Sequence, residues 1–133
     1  MLDAIPRERI VHEWGLIALG LRRIKEPAYN EMELFAEAQS GELIIWRIEG
    51  GYLAGKIKRE NGTLRRFLRI NYVCGTSEDF WKQARSILSE IEDMARRNKL
   101  IEIRFEGRKG FSRLFPDYTR TPTPNGVEYR KAL

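Results

Sequence analysis

Residues 71–81, NYVCGTSEDFW, hold the densest set of groups able to do chemistry. A β-branched and aromatic run from Leu68 to Val73 stops at Cys74-Gly75, and a helix is predicted to begin within three residues. Strand, glycine and helix start form a corner that holds phosphate on free backbone amides. Val73, Cys74, Gly75, Thr76 and Ser77 are therefore the candidate cofactor-binding residues. Glu78 and Asp79 oppose that reading, because carboxylates in the first turn satisfy the same dipole and amides. Each would repel a pyrophosphate about 4 Å away by roughly 1 kcal/mol even in bulk-like solvent.

Other groups able to do chemistry have plainer roles. A thiol at a helix N-terminus gains thiolate character, but the sole histidine, His12, lies far from Cys74 in sequence and reads as solvated. Cys74 therefore reads as a small buried residue at a strand end. Glu102, Glu106 and Asp117 are carboxylates able to act as a base through water. Alternation puts Glu102 beside Arg104, opposite Ile101, Ile103 and Phe105, which reads as a surface ion pair. Tyr118 and Tyr129 read as packing residues with solvent-exposed hydroxyls. Arg108 and Lys109 stand between two glycines at a strand end, where open sheets bind ligands, and are the candidate partner or anion contacts. No catalytic residue is assigned.

The elements that must position these groups follow from periodicity. Ile10, Val11, Trp14, Ile17, Ala18 and Leu21 mark one face of a helix over 5–23. A second helix over 31–38 turns Met32, Phe35 and Ala36 inward and ends at Ser40-Gly41. The period then becomes two. ELIIWRI (42–48), YLAGKIKR (52–59) and LRRFLRINYV (64–73), joined at Gly50-Gly51 and Asn61-Gly62, form an antiparallel meander.

Residues 77–98 carry a continuous apolar stripe that includes Trp81, Ile87, Leu88, Ile91 and Ala95. Glu92–Arg96 and Asp93–Arg97 are four apart on the other face. LIEIRFE (100–106) is a strand reached through that helix, so it lies parallel to the one ending at Val73. A short helix within 107–118, a loop over 119–126 and a last strand over 127–132 complete the order α-α-β-β-β-α-β-α-β. The fold class is α+β: a mixed, mainly antiparallel sheet with one βαβ crossover and helices on both faces.

Composition narrows the setting. The chain has 133 residues, 24 Lys and Arg against 19 Asp and Glu, and a net charge of +5. Its length suits one domain. The longest uncharged apolar run, Trp14 to Leu21, is far short of the ~20 residues that span a bilayer. One cysteine and one histidine exclude a disulfide and a zinc cluster built within the chain. The expectation is a cytoplasmic, metal-free, single-domain protein. Its basic residues cluster at 56–69 and 96–113. Few aromatic rings accompany them, so single-stranded nucleic acid is a weaker expectation than an acidic protein.

The element order, with the usual first strand unrecognised, resembles the GNAT N-acetyltransferase superfamily over nearly the whole chain. SGELIIW, GGYLAG, CGTSEDFW, IEIRFEGRKGFSRLFPDY and the terminal YRKAL resemble, more narrowly, small bacteriophage-encoded GNAT-like proteins. The superfamily resemblance implies acetyl-CoA held between the third meander strand, the following helix and the parallel strand. The matching positions are Val73 to Ser77 and Ile101 to Phe105.

The chain departs from the family pattern in two places. The corner offers one glycine before Glu78 and Asp79, and Arg113 stands near the position of the family's proton-donating tyrosine. The sequence therefore points to a phage-encoded accessory protein, non-catalytic or vestigially so, docking through a basic surface on a phage or host protein. No cofactor is expected on that reading. Acetyl-CoA-dependent transfer to an amine is the alternative, with nucleic-acid binding behind it. A cytoplasmic or virion-associated location and pairing of two copies go with these expectations.

Overall fold

The computed structural model describes residues 2–22, 30–75, 82–107 and 112–133. Its elements are β1 (Asp3–Ala4), α1 (Ile10–Leu21), α2 (Glu31–Ser40), β2 (Ile44–Ile48), β3 (Gly51–Arg59), β4 (Arg66–Gly75), α3 (Ala84–Arg97), β5 (Glu102–Gly107), β6 (Thr119–Thr123) and β7 (Gly126–Ala132). The strands form one sheet in the order β1-β2-β3-β4-β5-β7-β6. Every pairing is antiparallel except β4 with β5, the predicted crossover.

Local chemistry explains the boundaries. Asn30 caps α2 by accepting from the Glu33 amide at 3.0 Å. Gly41 ends that helix at φ +86°, a left-handed conformation that a Cβ would penalise. Gly50, at φ +79°, makes the β2–β3 turn. Asn98 closes α3, and Lys99 takes φ +59° after it.

Two cores lie on opposite faces of the sheet. On one, α3 packs Ala84, Ile87, Leu88, Ile91 and Ala95 against Leu53, Leu68, Ile103 and Tyr129. On the other, α1 and α2 bring Ile10, Ile17, Leu21, Leu34 and Ala38 onto Leu43, Ile45, Ala54 and Cys74. Burying each large aliphatic side chain is worth about 1.5–3 kcal/mol before chain entropy is counted. Phe105 joins β5 to the C-terminal strands by stacking on Tyr129, with ring centroids 5.2 Å apart.

Several expectations need correction. Two strands were unrecognised: β1, which pairs Asp3 with Arg47 and Ala4 with Trp46, and β6, where a loop was expected. Ser112 and Arg113 make a single 3-10 turn, and no α-helix forms among the described residues of 107–118. In α2 the buried residues are Leu34 and Ala38; Phe35 packs half-buried against the same core as expected, while Met32, 82% exposed, and Ala36 face out. Glu92 is buried in α3, not on its polar face. Asp93 pairs with Arg96 at 3.3 Å, which leaves Arg97 out of that pair. Trp46 of β2 is core, whereas Trp81 lies outside the described residues.

Candidate functional site

The parallel ladder between β4 and β5 is short. Leu68, Arg69 and Ile70 stand opposite Ile103, Arg104 and Phe105, and there the register ends. Strand β4 runs on to Gly75, while Glu106 and Gly107 of β5 pair with Glu128 and Val127 of β7. On its other side β4 carries a bulge, because Tyr72 faces Ala54 and Ile70 faces Gly55, so Asn71 is the extra residue. A bulge bends the strand that carries it. This one falls at the residue where pairing with β5 stops. Gly55 is required opposite it, since a Cβ there would lie 2.8 Å from the Arg69 carbonyl oxygen.

Past the bulge, Val73 packs half-buried toward the α3 core. Cys74 is buried, with Sγ 3.7 Å from the Tyr52 carbonyl oxygen. A Cβ on Gly20 of α1 would come within 2.8 Å of that sulfur. Cys74 therefore is the small buried residue expected at a strand end. Gly75 pairs with Gly51. Thr76, Ser77, Glu78, Asp79, Arg108 and Lys109 lie outside the described residues.

On the α1 side of this end of the sheet is a groove of about 320 Å³, lined by Leu16, Leu19, Gly20, Arg47, Gly51 and Tyr52. Arg47 fixes its floor. Its Nε donates to Glu13 Oε1 at 2.8 Å and its Nη1 to Asp3 Oδ2 at 2.6 Å, tying α1 and β1 to β2. Burial, reinforced by the Glu13 charge, holds the Tyr52 hydroxyl pKa above its ordinary value.

The carboxylates singled out from sequence are occupied. Glu102 accepts from Arg104 and from Arg130 Nε at 2.9 Å, and Arg104 Nη2 reaches Glu60 at 2.8 Å. Burial pushes the Glu102 carboxyl up, but hydrogen bonds from Arg104 and Arg130 outweigh it and hold the pKa below the usual value. The Arg104 guanidinium also lies 3.7 Å from the centroid of the Phe67 ring. Glu106 meets Arg69 at 3.4 Å, and exposed Asp117 stands 3.8 Å from Lys131.

Tyr118 and Tyr129 are buried rather than solvent-tipped. Tyr118 donates to Glu92 Oε2 at 3.2 Å. Sequence reasoning missed Glu92 as a buried group. The available signal was its place four residues after Leu88 and three before Ala95, on the stripe itself. No cluster of metal-ligating side chains forms among the described residues.

No family profile matches the chain, and no curated protein sequence does. Solved structures do match. Aminoglycoside 6′-acetyltransferase type Ii superposes with TM-score 0.71 at 14% identity, over 99% of this chain and 96% of that one. A chain of the NatC complex bound to Gag peptide and CoA gives 0.68 at 14% identity, covering 100% and 96%. A GNAT-family acetyltransferase from Listeria monocytogenes gives 0.64 at 13%, covering 100% and 94%. The fold is that of the GNAT acetyltransferases. At these identities the likeness establishes architecture.

Proposed function

We propose that the protein is an acetyl-CoA-dependent N-acetyltransferase. The observation that carries the reading is the early end of the β4–β5 ladder beside the Asn71 bulge. One structural neighbour is described as bound to CoA, and others as acetyltransferases, which supports the same reading. The residues fit such a group: between the parted strands, β4 from Asn71 to Gly75 would hold the amide-bearing arm as a neighbouring strand would, with Val73 as an apolar wall. When bound, acetyl-CoA supplies a thioester whose acetyl group passes to an amine while the thiolate leaves with the proton that the amine sheds. The groove along α1 would admit the amine, with Leu16 and Leu19 as apolar lining at its mouth.

A specific observation favours a second reading, a non-catalytic protein on the same fold. Among Asn71 to Cys74 and Phe105 to Gly107 the one carboxylate is Glu106, and Arg69 engages it. Thermal unfolding with acetyl-CoA separates the two. At about 100 times the dissociation constant, a ligand adds roughly 2.7 kcal/mol of stability. No shift at millimolar coenzyme overturns the acetyltransferase reading. If Glu78 and Asp79 close the corner, replacing both with Ala raises coenzyme affinity; if they point away, affinity is unchanged.

A further inference from the structure

Beyond the acyl-transfer reading, and independently of it, the β3–β4 hairpin is a basic ribbon. Pairing of β3 with β2 ends at Gly55, and pairing of β4 with β5 begins at Leu68. The Ile101 amide still donates to the Arg66 carbonyl oxygen at 2.8 Å, so β5 flanks β4 as far as that residue; β3 runs free of β2 from Lys56, and the hairpin end over residues 60–65 extends past both neighbours. Lys58, Arg59, Arg65 and Arg66 are exposed on this hairpin, and none forms an ion pair among the described residues. The two cations nearer the sheet are engaged: Lys56 by Glu37 and Glu42, and Arg69 by Glu106.

The ribbon's one carboxylate, Glu60, is drawn back by Arg104 at 2.8 Å. Its far end thus presents cations without a compensating acid. Arg66 Nη2 donates to the Asn98 carbonyl at 3.1 Å, which sets the end of α3, with exposed Arg97 and Lys99, beside the ribbon. Phe67, the ribbon's ring, is buried, so no aromatic platform is offered for unstacked bases.

We infer that this ribbon binds duplex DNA through its phosphates, without reading sequence. Cations on a two-stranded ribbon match a groove about 12 Å wide that admits such a ribbon. The attraction comes from counterion release, which needs charge and not rings. The narrow major groove of an RNA duplex excludes the same element.

The test is fluorescence anisotropy of the full chain with a labelled 20-base-pair DNA duplex at 50 mM and 200 mM salt. With four phosphates neutralised, log K is expected to fall with log salt at a slope of about −3.6. Lys58→Gln, Arg59→Gln and Arg65→Gln together remove about 2.7 from that slope and weaken binding at least tenfold. Lys99→Gly also weakens binding, and glycine suits the left-handed backbone there, so a folding defect cannot explain the loss. Arg120→Gln on β6 leaves binding unchanged. The inference is overturned by no saturable DNA binding at 50 mM salt, by a triple variant that binds as the parent does, or by equal affinity for an RNA duplex. Tighter binding to polyglutamate than to DNA also overturns it and points to an acidic protein.

Discussion

Tyr118 donates its hydroxyl to one oxygen of Glu92 at 3.2 Å, while Lys131 Nζ holds the other at 2.7 Å. The three groups come from the 112–118 segment, α3 and β7, so a buried charge fastens the chain's C-terminal strands to the crossover helix. A carboxylate taken from water needs such partners.

Removing either partner should expose how unequal they are. Tyr118→Phe deletes one hydrogen bond and leaves the ion pair, and is expected to cost about 1–2 kcal/mol. Lys131→Met leaves Glu92 with Arg96 at 3.8 Å as its remaining counter-charge and should cost about 2–4 kcal/mol. Urea unfolding of both variants and of the double variant checks the order. Equal losses would show that the tyrosine and lysine contribute alike.

Alkaline pH should loosen the same contact. Burial pushes the Tyr118 hydroxyl well above its ordinary value, and the Glu92 charge adds to that. The unfolded chain ionises this tyrosine near pH 10 while the folded chain keeps its proton. The stabilisation is whole below pH 10 and then falls by about 1.4 kcal/mol per pH unit. Tyr118→Phe should remove that slope, as measured by denaturant midpoints between pH 9 and 11.

Glu102 acts at the opposite limit. Its folded pKa is depressed by Arg104 and Arg130, so its contribution is present above the unfolded value near 4.3 and is lost as pH falls through the folded value. Glu102→Gln is expected to cost about 1–3 kcal/mol at pH 7 and to flatten the acid limb of a stability–pH curve. A variant as acid-sensitive as the parent would contradict this.

Gly20→Ala should destabilise by about 1–3 kcal/mol, because its Cβ would meet the Cys74 sulfur at 2.8 Å. Adding Cys74→Ala removes the sulfur and leaves a 3.5 Å contact, so the double variant should recover much of the loss. Gly55→Ala meets backbone oxygen and should have no such side-chain rescue. Melting temperatures of the three variants decide it.

Much of this architecture was legible in sequence. The meander, the crossover helix and the parallel β4–β5 pair follow from a change of apolar period at Glu42 and the long stripe ending near Ala95. Strand β1 escaped because two residues cannot show alternation, and β6 because TRTPT is an almost wholly exposed edge with proline in it. Of the candidate site, Val73, Cys74 and Gly75 do lie where the strands part. The parting itself was not readable, since it depends on which strand each half of β5 pairs with. The ends of long basic side chains were equally hidden: Lys56 and Arg69 belong to the same run as Lys58 and Arg65, yet the fold turns the first two onto glutamates.

The strand order sets a timetable for the emerging chain. Strand β7 sits between β5 and β6, and β6 pairs with β7. Until β7 is synthesised, β5 keeps an open edge and Phe105 lacks its stacking partner Tyr129. An arrested nascent chain would offer that edge to its neighbours on a polysome, which makes the completing strand this protein's safeguard against aggregation as well as part of its core.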